Sequence, residues 1–263
     1  IEDVDELNDF AMTHKFGGID WSFDLTRLPS TPSEASVWLK NFQKLSHLKI
    51  RYHCPFNKVD IGHRDVDLAE RAVKIFQRVI RLVAKAQGRY VTLHIGLGHD
   101  TTHFFSWDTT VINLTRLVRY GAERGVKLCL ENLAWGWTSK PNLFEKLIRK
   151  SGAGITFDIG HAHACESVYS LHYDAKDFVT PHDENVYNAH IYHTEIPVIG
   201  HVPPQHVNDI RSRLDLLMDI GCRFWTLEIR EKEGLIQTKN VIDDYLDEIS
   251  FAMTEQLNVS NYF

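Results

Sequence analysis

Apolar residues along this chain switch repeatedly between the three-to-four spacing of a helix and short unbroken runs. Within residues 68–84, Leu68, Ala69, Ala72, Val73, Phe76, Val79, Ile80 and Val83 share one helical face, and Gly88 then stops the helix before an apolar run over 90–95. The same device recurs at Gly125, Gly152 and Gly221, each just ahead of another apolar run. Such alternation of helix and buried strand is the pattern of a parallel sheet covered by helices. The runs predict strands near 18–23, 48–53, 90–95, 126–131, 155–158, 188–192 and 224–229, with a first helix over about 4–14 and a last one from about 237.

The length of 263 residues fits one α/β domain over 1–263, of the (β/α) TIM-barrel kind, and no linker or repeat divides it. Seven strands are one short of a closed barrel. The missing first strand is therefore expected upstream of Ile1, trimmed away, or replaced by another element. No apolar stretch approaches the roughly 18 residues of a membrane span. The net charge of −6, with both signs well mixed, offers no basic footprint for nucleic acid or anionic lipid, so a small-molecule substrate is the expected partner. A homo-oligomer is compatible with the composition. The four cysteines, Cys54, Cys129, Cys165 and Cys222, show no paired spacing and no secretory leader is visible, which points to reduced thiols in a cytoplasmic protein.

In a parallel barrel the chemistry sits at the carboxyl ends of the strands, and here the apolar runs end in His53, His94, Glu131, Asp158, His190 and Glu228. Three carboxylates converging on one mouth repel each other unless a cation lies between them. Mixed carboxylate and imidazole donors suit Mn, Mg, Co, Fe or Zn, so Glu131, Asp158, His190 and Glu228 are the expected ligands of one divalent ion. His53 and His94 either complete a second metal site or bind substrate. Trp135 and Trp137 follow Glu131 and either wall the pocket or pack beneath their loop. The aperiodic stretch 197–204, containing His201, reads as a loop over the site.

The motifs Leu93-His94-Ile95-Gly96, Leu130-Glu131-Asn132, Phe157-Asp158-Ile159-Gly160-His161, Ala189-His190-Ile191 and Leu227-Glu228 resemble those of the xylose isomerase-like barrels. That superfamily includes sugar epimerases, inosose dehydratases and abasic-site nucleases of the endonuclease IV type. The resemblance covers nearly the whole chain. For the epimerase branch it implies a metal held by Glu131, Asp158, His190 and Glu228, proton transfer next to a carbonyl by Glu131 and Glu228, and a substrate-oxygen contact from His161.

Two departures weigh against a free-ketose 3-epimerase: Trp137 stands where that group carries a second glutamate, and Ile196 where it carries an arginine. For the nuclease branch, His53, His94, Glu131, Asp158, His161, His190 and Glu228 match seven of nine ligands, whereas the Asp-x-His pair is missing and His201 and His206 are offered in its place. The leading expectation is a metal-dependent isomerase, epimerase or related lyase acting on a sugar, polyol or sugar-like carbonyl compound. A multinuclear phosphodiester-cleaving enzyme, and a metal-binding barrel without turnover that serves as a binding partner, are its alternatives.

Overall fold

The computed structural model describes residues 3–55, 59–99 and 101–260, with side chains as far as residue 251. In chain order its elements are α1 (Val4–Thr13), β1 (Gly18–Ser22), α2 (Pro32–Phe42), β2 (Lys49–His53), α3 (Val66–Lys85), β3 (Tyr90–Leu93), α4 (Trp107–Ala122), β4 (Lys127–Glu131), α5 (Pro141–Ser151) and β5 (Gly154–Asp158). There follow α6 (Ile159–Ala164), α7 (Glu166–Tyr169), β6 (Val186–Ile191), β7 (Thr194–Ile196), β8 (Gly200–Val202), α8 (Arg211–Asp219), β9 (Trp225–Leu227) and α9 (Lys232–Ser260).

Seven strands form one parallel sheet in the order β1-β2-β3-β4-β5-β6-β9, wrapped by helices into a nearly closed TIM barrel. Among the described residues no ladder joins the edge strands β1 and β9, yet a Cβ on Gly18 would lie 3.2 Å from the Phe224 ring. The architecture is thus a barrel short of one strand. Three local readings change. Residues 194–202 are a two-stranded antiparallel hairpin, β7 with β8, where an irregular loop was expected; its three-residue strands are too short to show a period in sequence. The last helix begins at Lys232, five residues early, and buries Val241 and Tyr245. The third and seventh parallel strands stop at Leu93 and Leu227, which leaves His94 and Glu228 just beyond the ladder.

The helices form where their ends are satisfied as well as where their faces are apolar. Thr31 and Glu34 make a reciprocal capping box with Pro32 at the first helical position of α2. Asp65 caps α3, whose buried face includes Ala69, Ala72, Val73, Phe76, Val79, Ile80 and Val83. Outside the sheet, Trp21, Trp38, Phe42 and Tyr52 pack ring against ring between β1, β2 and α2.

The barrel interior is unusually polar. Thr92 and Thr156 are hydrogen-bonded across it at 2.7 Å, and Arg51 lies between the Tyr90 and Phe224 rings, 4.1 Å from each centroid, toward the amino ends of the strands. The buried Arg213 of α8 donates to the carbonyls of Ile159, His193 and Asp209, tying the chain just after β5 to the chain just after β6.

Gly152 ends α5 with φ of 72°, and the nearest atom to an added Cβ is 4.0 Å away, so the conformation alone demands glycine there. Gly152→Ala is expected to destabilise the fold by about 1 kcal/mol and Gly152→Asn by less. Urea unfolding midpoints check this, and an alanine variant as stable as wild type would show that the left-handed turn carries no strain.

Candidate metal centre

Each functional side chain reaches the barrel mouth for a local reason. Asp158 is the last residue of β5 and also the N-cap of α6: its Oδ1 accepts from the His161 amide at 2.6 Å. One oxygen is consumed by the cap, Oδ2 is left facing the mouth, and the three-residue cap spacing sets the His161 ring on the same side. Asn132 extends the β4–β5 pairing with its side chain, accepting from the Asp158 amide and donating to the Asp158 carbonyl, both at 2.8 Å. The Glu-Asn and Asp-x-x-His motifs are thus one hydrogen-bonded unit.

Glu131 is completely buried and stands at the middle of the centre. Its Oε2 lies 3.2 Å from His53 Nε2 and 3.0 Å from His94 Nε2. Its Oε1 lies 3.3 Å from His190 Nδ1 and 3.6 Å from His161 Nδ1. His190 Nδ1 in turn faces Glu228 Oε2 at 3.0 Å and Asp158 Oδ2 at 3.8 Å. Three carboxylates from three strands therefore converge on a single ring nitrogen.

Among the described residues, three groups of donors have atoms close enough to share an ion: His53 with His94 and Glu131; Glu131 with Asp158, His190 and Glu228; and His161 with Glu195 and His201. The second is the set expected from sequence. The first brings in both earlier histidines through the same glutamate. The third joins His161 and His201 with Glu195, which sequence reading missed; Glu195 and His201 are register partners in the hairpin. The available signal was Pro197 followed by Gly200, a turn between two short strands. Of the tryptophans, Trp137 packs edge-on against Trp107 and Phe105, supporting its loop, and Trp135 lies over Gly96, two residues past His94.

The residues present fit a bound cation. Glu131 Oε1, Asp158 Oδ2, His190 Nδ1 and Glu228 Oε2 are all buried without a hydrogen-bond partner. Polar atoms seldom remain so unless something outside the protein satisfies them. The histidine tautomers agree. Nδ1 of His53 faces the Cys54 carbonyl at 2.9 Å, Nδ1 of His161 the Asn132 carbonyl at 3.0 Å, and Nδ1 of His201 the Glu228 carbonyl at 2.8 Å. A carbonyl only accepts, so each Nδ1 carries the proton and each neutral ring offers its Nε2 lone pair. That lone pair points at Glu131 in His53 and, at 3.4 Å, at Glu195 in His161. Two acceptors face each other there, and only a proton or a metal ion between them makes the contact favourable.

Without a metal, the cluster must hold protons. Burial would raise the Glu131 carboxyl, but the nearby imidazoles, His190 foremost, and the contact with His53 outweigh it and keep the group well below the usual range. Glu228 behaves alike, burial being overcome chiefly by His190, which leaves it at about 2. Asp158 goes the other way, to about 6, through burial against the pull of His161 and with the added charges of Glu131 and Glu228. One carboxylate too many is present for the protein alone. Behind His190, Asp20 Oδ2 lies 3.5 Å from Nε2, the outer partner usual for a ligating imidazole. A charged residue facing inward from β1 was its only sequence signal.

The chain belongs to the family described as xylose isomerase-like TIM barrels, whose sequence profile matches residues 9–252. It is 29% identical over 201 residues to an uncharacterized protein of Methanocaldococcus jannaschii, covering 75% of this chain and 80% of that one. A solved L-ribulose 3-epimerase superposes with a TM-score of 0.72 at 17% identity, covering 98% of this chain and 92% of that one. Endonuclease IV from Thermus thermophilus superposes with a TM-score of 0.67, also at 17% identity, over 93% of this chain and 94% of its own. At these identities the solved structures establish the fold.

Asp20→Asn is expected to weaken binding of zinc by about tenfold to a hundredfold while the fold stays intact. Competition against a chromophoric chelator measures it, and an unchanged affinity would reduce Asp20 to a packing residue. The metal-free protein should also lose stability with rising pH. Burial lowers the pKa of His161, but the carboxylates of Asp158, Glu195 and Glu131 overcome this and hold it at about 10. Its folded value exceeds the unfolded value near 6.5, so the stabilisation is complete below about pH 6.5 and is lost as pH rises toward 10. Thermal melts in chelator should fall across that window and melts with excess zinc should not, because ligation requires the neutral ring. A flat metal-free profile would contradict the assignment.

Proposed function

We propose that this chain is a divalent-metal-dependent hydrolase whose multinuclear centre cleaves phosphate esters, with a sugar-containing phosphodiester as its substrate class. The observation that carries the reading is Glu131, whose two carboxylate oxygens face two different donor groups, His53 with His94 on one side and His190 on the other. A bridging carboxylate of this kind suits neighbouring ions. The nuclease resemblance adds to it: seven residues match that branch's ligands in order and type, and the hairpin adds Glu195 and His201 as a third donor group with His161.

Bound ions would polarise the phosphate oxygens and lower the pKa of an attacking water. Within the protein, Asp20 orients His190, and Asn132 with the α6 cap orients Asp158. His53, His161 and His201 are held in one tautomer by backbone carbonyls, so the donor atoms are preorganised. Glu228, the most exposed of the strand-end carboxylates with a side chain 36% exposed, is the one placed to meet substrate. The mixed imidazole and carboxylate donors favour Zn, Mn, Fe or Co over Mg. Four buried, unpaired cysteines suit a reducing cytoplasm, and among the described residues no helix is long and apolar enough to cross a membrane.

A second reading, a metal-dependent sugar or polyol isomerase or epimerase, is supported by the four-donor set Glu131, Asp158, His190 and Glu228 and by the sugar epimerases among the similar folds. It asks Glu131 to move a proton to and from substrate. Enclosed by His53, His94, His161 and His190 and held well below the usual carboxylate range, Glu131 is better suited to ligation.

Metal analysis after zinc or manganese loading is expected to find about two to three ions per chain. Glu131→Gln should lose at least one of them, and cleavage of a small chromogenic phosphodiester should fall by about a hundredfold or more. One ion per chain with interconversion of ketoses would install the second reading instead. Full metal loading with no turnover on either substrate panel would make the chain a metal-binding partner protein and overturn the proposal.

A further inference from the structure

The hairpin β7–β8 brings two of the three donors of one group, yet it is a poor holder of them by itself. It pairs only Thr194 with Val202, Glu195 with His201 and Ile196 with Gly200, and a two-stranded ribbon of that size is marginal in water. Its tip is strained and unsupported: Val198, a β-branched residue, has φ of 73° and is fully exposed, as is most of Ile199. Something else must fix Glu195 and His201 relative to the barrel.

Tyr192 is placed to do so. It leaves β6 two residues after His190 and two before β7, and it is among the largest side chains with no solvent exposure. Its ring stacks on His201 at 3.9 Å between centroids and 9° between planes, and meets His161 edge-on at 5.8 Å. One ring therefore touches the imidazole from the hairpin and the imidazole from α6. Gly160 makes the space: a Cβ there would lie 2.0 Å from Tyr192 Cε2. A glycine between Asp158 and His161 is thus required by a ring carried on the next strand.

We propose that Tyr192 is a positioning residue that seats His201, and with it Glu195, against His161, so that the hairpin group holds its ion only while this ring is in place. The inference rests on the multinuclear reading. It assigns no chemistry to the phenol: the stacked ring is the working part. The consequence is selective, because Tyr192 makes no ring contact with His53, His94 or His190 among the aromatic contacts of the centre.

The test compares zinc content and affinity in wild type, Tyr192→Phe, Tyr192→Leu, Gly160→Ala and His201→Ala, with circular dichroism and thermal melts to establish folding. Tyr192→Phe keeps the ring and should retain every ion. Tyr192→Leu and Gly160→Ala should each weaken the same ion that His201→Ala removes, by about tenfold or more, and leave the others unchanged. The double variant Gly160→Ala with Tyr192→Leu should be no worse than either alone, since both act on one ring. If wild type binds a single ion, the multinuclear reading fails before Tyr192 is tested. If wild type binds the hairpin ion and folded Tyr192→Leu holds it as tightly, the role of Tyr192 is refuted. Loss of all ions from Tyr192→Phe would also refute it, by assigning the effect to the hydroxyl.

Discussion

The convergence of carboxylates on the barrel mouth is the constraint around which this structure is arranged. Glu131, Asp158 and Glu228 end three different strands and all face one nitrogen of His190. Taking such groups out of water costs several kcal/mol per charge unless opposite charge is supplied. The protein supplies part of it with histidines drawn from β2, β6 and α6. The remainder shows as orphaned buried atoms and as an Asp158 that keeps its proton to about pH 6. A bound cation would complete that balance.

Scaffolding and donation are shared by the same residues, which explains why the motifs are so compact. Asp158 gives one oxygen to the helix cap and the other to the mouth. Asn132 spends its whole amide on the backbone of Asp158, and its carbonyl fixes the tautomer of His161. Moving any of these would disturb both a strand ladder and a donor atom. The polar barrel interior extends the same logic downward: Asp20 backs His190, and Arg51, held between two aromatic rings, lies beneath.

Membership of the xylose isomerase-like barrels leaves the chemistry open, because the same strand ends can serve proton transfer in one member and phosphate ester hydrolysis in another. The surroundings of one glutamate bear on that choice. A proton-transferring carboxylate needs access to substrate and a pKa near the working range. Glu131 is wholly buried among four imidazoles, which hold its carboxyl well below the usual range. Trp137, six residues further on, packs against Trp107 and Phe105 and supports the loop that follows β4.

The parallel strands and the donors His53, His94, Glu131, Asp158, His190 and Glu228 were legible in the sequence because burial imposes a local pattern. A strand covered on both faces must be apolar, so a charged or imidazole residue at its end stands out. Glycine stops and helix caps are equally local. The hairpin was hidden, since three-residue strands have no measurable period, and so was Glu195, whose partner lies six residues away across a turn. Asp20 and Tyr192 were invisible for a related reason: one resembles any charged residue in a strand, the other any aromatic in a core. Their roles depend on what faces them. Only tertiary structure sets Asp20 behind His190 and the Tyr192 ring over His201, and only it divides the two oxygens of Glu131 between separate donor groups. Sequence determines which side chains can be donors, and the fold decides which of them share an ion, because sharing depends on distances of a few ångströms between residues far apart in the chain.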